Sequence, residues 1–147
     1  MRLAENSRLL IITAWVGSLW TVGYLVAPTL FIALPDRVLA GTIAGKLFRV
    51  EAWFSVVAGT VVLLLLRLQA PRLTWSAGRI KLVAAMLACT LLGYFALQPS
   101  MAAMRETAVN GVMNGDVHTR FALLHGVASA LYLIQSLLGI ILVVKNT

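Results

Sequence analysis

Hydrophobic residues in this chain gather into four long runs, at about residues 9–34, 50–68, 80–97 and 119–144, with short polar stretches between them. Each run is close to the roughly 20 residues that a helix needs to cross the hydrocarbon core of a bilayer. The pattern predicts an all-α fold: one polytopic membrane domain over residues 1–147, built as a four-helix antiparallel transmembrane bundle with two short interfacial helices.

The last run has the clearest polar periodicity. His118, His125, Tyr132 and Gly139 recur seven residues apart, with Ala122, Ser129 and Ser136 interleaved on the same side. At helical spacing these residues share one face. The other sides carry Leu123, Leu124, Leu131, Leu133, Ile134, Leu137 and Ile140. In lipid, such a helix is expected to turn its small and polar face toward protein. The same rule predicts packing stripes of Ala14, Ser18, Thr21 and Pro28 in the first run, Ala52, Ser55 and Gly59 in the second, and Ala85, Cys89 and Gly93 in the third.

The interruptions are equally specific. Pro28 removes a backbone donor inside the first run and predicts a kink there. Pro35-Asp36 ends that helix, and Asp36 is placed to cap the next. Residues 37–49 set Val38, Leu39, Ile43 and Leu47 against Arg37, Lys46 and Arg49, so they read as an interfacial helix leading into the second span. Gly41 and Gly45 form a GxxxG pair within it. Gln98-Pro99-Ser100 breaks the third run, with Ser100 as the expected cap of a second amphipathic helix carrying Met101, Met104 and Ala108. Asn110-Gly111 and Asn114-Gly115-Asp116 are turn chemistry. No internal repeat stands out.

Composition removes the soluble classes. Of 147 residues, 61% are hydrophobic, well above a soluble domain's share. The first run is too long for a signal-peptide core and no small-residue cleavage site directly follows it, so it is expected to remain as a span. A net charge of +7 would favour nucleic acid in a soluble protein. Here the cations flank hydrophobic runs and follow membrane topology instead, so no nucleic-acid partner is expected. Arg2, Arg8, Arg67, Arg72, Arg79, Lys81 and Lys145 fall on one side, against Arg37, Lys46, Arg49, Arg105 and Arg120 on the other. That bias places both termini in the cytoplasm, with the chain in a bacterial inner membrane. The single cysteine, Cys89, excludes an intrachain disulfide.

Three groups of residues could carry chemistry. The first is His125, with Ser129 and Tyr132 along the same face. An ionisable group inside a membrane marks a functional site unless it is a neutral histidine bonded across the bundle. The two histidines lie about 10.5 Å apart along one helix, too far to share an ion. The second group is Met101, Met104, Met113 and His118, a soft donor set suited to copper, read otherwise as methionines dipping into lipid. The third is ionic: Arg49, Glu51, Arg105, Glu106 and Arg120 near the outer interface, with Arg120 or Arg105 as the expected partner of Glu51. This third group reads as a structural clamp or as the polar entrance of a site. No nucleophile–base pair, phosphate loop or paired-carboxylate site is present, so no enzyme is indicated.

Two stretches carry a resemblance. Trp20, Tyr24, Pro28, Leu30 and Phe31 form a W-x3-Y-x3-P-x-LF segment, and Phe121, His125 and Ser129 form F-x3-H-x3-S. The chain resembles the bacterial domain-of-unknown-function family 4149, which is similar to eukaryotic transmembrane protein 205. The resemblance implies a small four-helix membrane protein of undefined biochemistry, and through its platinum-resistance relatives some handling of metals or drugs. Copper-resistance D-type proteins look similar in helical style. Haem-binding four-helix protoporphyrinogen oxidases are similar in size, but this chain has no histidine in its first span.

These readings converge on a non-enzymatic membrane protein for transport or resistance, with soft metal ions as one cargo. His125 and its face form the inner site, with Glu51, Arg105 and Arg120 at the entrance. A haem-dependent redox protein using His125 as ligand is the rival, and a structural or assembly partner the third. The expected partners are the lipid bilayer and either a second copy or another membrane protein.

Overall fold

The computed structural model describes residues 2–69, 76–106 and 114–146. The expected Met113 ligand, the Asn110-Gly111 turn, Arg72 and Ala108 lie outside the described residues. Every element is helical: α1 (Arg2–Trp20), a π-helical segment (Thr21–Val26), α2 (Ala27–Ala33), α3 (Arg37–Gln69), α4 (Ser76–Thr90), a second π segment (Leu91–Ala96), α5 (Gln98–Glu106) and α6 (Gly115–Val144). They make four helices long and apolar enough to cross a membrane, over Glu5–Ala33, Arg37–Leu68, Ala77–Glu106 and Gly115–Val144. The chain is a multi-pass membrane protein. Each span packs on two neighbours, α1 on α3, α3 on α4, α4 on α6, and α6 back on α1, which closes a four-membered ring.

Helix ends follow local chemistry. Asp36 Oδ1 accepts from the Val38 and Leu39 N–H groups at 2.8 and 3.1 Å and starts α3 as the sequence predicts. The amphipathic stretch 37–49 forms the first turns of that single helix. Ser100 does not cap α5, which begins two residues earlier at Gln98. Pro99 is tolerated in that first turn, where its missing donor costs no internal bond. Asn114 Oδ1 accepts from Gly115 N–H at 2.7 Å and caps α6.

Hydrophobic periodicity does not predict the two π segments, yet they share a sequence device. Gly23-Tyr24 and Gly93-Tyr94 sit inside them, and Pro28 and Pro99 follow within a turn. A proline withdraws one donor from the helix, and a widened turn lets neighbouring N–H groups reach back one residue further. Thus Ala27 N–H bonds Val22 O, and Leu97 N–H bonds Leu92 O. The distortion expected as a kink at Pro28 is therefore a π turn preceding it, and the third span repeats it.

The closely packed core occupies the half of the bundle that holds the chain termini. Ile12, Trp15, Val16, Ala58, Val62, Leu66, Val83, Met86 and Leu142 form one buried cluster. The small stripe expected on α3 is buried at Ala52, Ser55 and Gly59. Gly59 leaves room for its neighbours, since a Cβ there would lie 2.6 Å from Leu87 Cδ2. The stripes expected on the first and third spans are not buried: Ala14, Thr21 and Ala85 are exposed, while Trp15, Leu19, Val83 and Met86 point inward. Large side chains fill the space between helices and the small residues of α3 receive them, so only one helix of a contact needs a small face. At this end Arg8 is buried and an Arg79 Nη donates to the Lys145 carbonyl, which ties α4 to the end of α6.

Candidate functional site

Beyond this core the four spans separate around a cavity of about 990 Å³ that is lined by all of them. Its floor is polar. Glu51 is only 6% exposed, although it stands about 21 Å along α3 from the helix start. Its carboxylate accepts from Ser55 Oγ at 3.2 Å, and Ser55 in turn accepts from Trp15 Nε1 at 2.7 Å. The Ser18 side chain also faces the carboxyl. Beside them Gln135 Nε2 donates to Thr90 Oγ1 at 2.9 Å, and Thr90 donates to Met86 O at 3.2 Å. The α-helical spacing of Glu51 and Ser55, one turn apart on α3, aims both at the same pocket.

The walls are aromatic. Tyr132 donates to Leu19 O at 2.5 Å and meets Phe48 edge-on at 5.4 Å and Tyr24 at 6.1 Å. Tyr24 donates to Ser136 Oγ at 3.0 Å, which joins the first π segment to α6. At the second π segment Tyr94 lines the cavity and accepts from Arg49 Nε at 3.1 Å. Both widened turns therefore lie at cavity level, and each presents a tyrosine to it.

The mouth lies at the end opposite the termini and carries Arg37, Gln98, Met101, Arg105 and His118. Arg105 spans it. Its Nη1 donates to Gly41 O at 3.1 Å, and its guanidinium lies 5.8 Å from the centre of the Phe121 ring, which stacks on His125 at 6.0 Å. A Cβ at Gly45 would meet Arg105 Nη1 and Gln98 Nε2 at 3.5 Å, an ordinary contact distance, while one at Gly41 would face Phe31 of α2 at 3.9 Å, so the GxxxG pair lies against α5 at one glycine and α2 at the other.

Of the residues expected to form a site, Glu51, Arg105, His118, His125, Ser129, Tyr132 and Met101 line this one cavity. Arg49, Arg120 and Met104 are not among its lining residues in the described chain. Glu51 lies at the floor and not at the entrance, and serine hydroxyls face it in place of Arg120 or Arg105. Arg105 is committed to Gly41 O, to the Met101 carbonyl and to the Phe121 ring. His118, Ala122, His125 and Ser129 are exposed, so the polar face of α6 is buried only from Tyr132 onward. Ser55, Thr90, Gln135, Tyr24 and Phe48 were not anticipated as site residues. Gln135 had the clearest signal, a lone amide inside an apolar run. No group of three His, Cys, Asp or Glu able to hold a metal occurs among the described residues.

Residues 10–110 match the family described as Domain of unknown function (DUF4149). The chain belongs to the DUF4149 family. The matched stretch contains Glu51, Ser55, both π segments and Arg105, and it ends before Phe121, His125 and Ser129. No curated protein and no solved structure matches the chain.

Proposed function

We propose that this DUF4149 protein is a non-enzymatic membrane carrier whose cavity binds a small organic cation, with Glu51 as its anchor. The supporting observation is the setting of that carboxyl: buried in mid-bundle, on the cavity floor, and faced by hydroxyl groups. A carboxylate in low dielectric is costly without a cation, so it holds either a proton or a positively charged guest. Exchange of one for the other is the elementary step of a carrier. Tyr24, Phe48, Tyr94 and Tyr132 offer ring faces that attract a cation and edges that pack its apolar parts.

A soft metal is the less favoured cargo, because Met101 and His118 share the cavity while Met104 stands outside it. A haem reading has His125, which stacks on Phe121 at the rim of the cavity, as its candidate ligand. In the orientation we favour, the chain sits in a bacterial inner membrane with cytoplasmic termini, as the distribution of Lys and Arg argues, and the mouth opens to the other side.

The test is equilibrium binding of tetraphenylphosphonium to the protein in lipid nanodiscs, beside Glu51→Gln. Saturable binding that weakens at least tenfold in the variant supports the reading. Equal affinity in both proteins, or none in either, removes it.

A further inference from the structure

The ring of spans is not closed along its whole length. In the half that holds the core, α1 packs on α6. Tyr24 and Tyr132 continue that contact one level higher. Above them α2 leans on α3, whereas α6 packs on α5 near Phe121 and on the second π segment at Leu131. Among the described residues α2 and α6 make no extended contact with each other. A gap therefore runs between the first and fourth spans at the level of the cavity.

The residues on its two edges carry its signature. Tyr24, Pro28 and Phe31 on one side, and His125, Ser129 and Leu133 on the other, all line the cavity and all keep exposed surface, as residues along an unsealed gap do. The position of this opening in the helical part of the spans makes lipid, not water, its outside medium. The edges suit that boundary: Ser129 turns its hydroxyl back to the His125 carbonyl at 2.8 Å, and His125 lays its ring on Phe121.

The mouth facing water is a poor route for a cation. Arg37 stands at it and Arg105 crosses it, fixed to Gly41 O and Phe121. Two guanidinium groups raise the potential for any cation that arrives that way. The lateral gap carries Tyr24, Phe31 and Ser129 on its edges and leads toward Glu51.

We infer that the guest reaches Glu51 sideways from the bilayer, between α2 and the first half of α6, and is therefore a lipophilic cation already dissolved in the membrane. This rests on the carrier reading above and specifies its substrate class and its route.

The experiment places a single removable plug on either route. Ser129→Cys and, separately, His118→Cys are made in a Cys89→Ala background that must itself bind tetraphenylphosphonium as the parent does. Each is labelled with benzyl methanethiosulfonate in nanodiscs. Association is then followed for tetraphenylphosphonium, which partitions into lipid, and for tetramethylammonium, which does not. The expected result is at least tenfold slower association of tetraphenylphosphonium after labelling at position 129, restored by reductant. Tetramethylammonium should be unaffected there and slowed by the label at position 118. Unchanged tetraphenylphosphonium association after labelling at 129, or loss at 118 instead, overturns the lateral route while leaving the carrier reading in place. Slowing of both cations alike from position 129 also overturns it, because the two guests would then share one path. Failure of the unlabelled parent to bind, or Glu51-independent binding, is read without any label and defeats the carrier reading itself.

Discussion

The Tyr132 ring occupies the space where a side chain at Gly23 would stand: a Cβ on Gly23 would lie 2.2 Å from Tyr132 Cε1. Tyr132 reaches this position to donate to the Leu19 carbonyl, so the hydroxyl end of the ring is fixed against α1 and the first π segment. Gly23→Ala should therefore displace Tyr132 and destabilise the protein by about 1–3 kcal/mol, the usual range for overpacking. Thermal unfolding in detergent of Gly23→Ala, Tyr132→Leu and the double variant checks it. The double variant should lose less than the sum of the singles, because the clash disappears with the ring. Additive losses would mean that the two residues do not meet.

Ser55 serves two neighbours at once, accepting from Trp15 Nε1 and donating to Glu51. Ser55→Ala leaves both buried groups short of a partner, at a cost of about 1–3 kcal/mol. Trp15→Phe removes only the donor and fills most of the same volume. Differential scanning measurements should rank Ser55→Ala as the more damaging at the polar site, and cation binding should fall with it while Trp15→Phe retains binding. A Ser55→Ala variant of parental stability would show that water replaces the hydroxyl there.

Asp36 starts α3 through two charge-assisted bonds to the Val38 and Leu39 N–H groups. Asp36→Ala should cost about 1 kcal/mol and fray the first turn. Hydrogen exchange over residues 37–41 reads it directly: faster exchange confined to that stretch is expected, and no change would place the start of the helix elsewhere.

Much of this architecture was legible in the sequence, because bilayer thickness fixes span length and leaves few alternatives to helices. Asp36 and the buried small face of α3 followed from the same local rules. The inward faces of the first and third spans did not. Small-residue stripes predict which helix yields space, and they do not say which large side chains take it; Trp15 and Leu87 against Gly59 is the case in point. The depth of Glu51 escapes the sequence pattern for a related reason. The stretch before it is amphipathic enough to lie in an interface, yet it continues as one helix that carries Glu51 well into the span. The cavity itself depends on where two spans part, and periodicity within one helix holds no information about that. The paired G-Y segments before Pro28 and Pro99 stand in the sequence, but each takes its meaning from the other, since both widened turns lie at the level of one cavity.

Arg105 links three elements at the mouth: α5, which carries it, α3 through Gly41 O, and α6 through the Phe121 ring. Removing it should loosen α5 and open the water-facing route while leaving the core of the opposite half intact. Arg105→Ala is therefore expected to raise hydrogen exchange over residues 98–106 and the first turns of α3, with a stability loss of about 1–3 kcal/mol for the lost hydrogen bond from a charged group. Arg105→Lys separates charge from geometry. A lysine keeps the positive potential at the mouth but lacks the planar fork that reaches a carbonyl and lies over a ring together. If the bracing matters, Arg105→Lys should exchange nearly as fast as Arg105→Ala, while tetramethylammonium association rises only in Arg105→Ala. Equal acceleration of tetramethylammonium in both variants would assign the barrier at the mouth to sterics and not to charge.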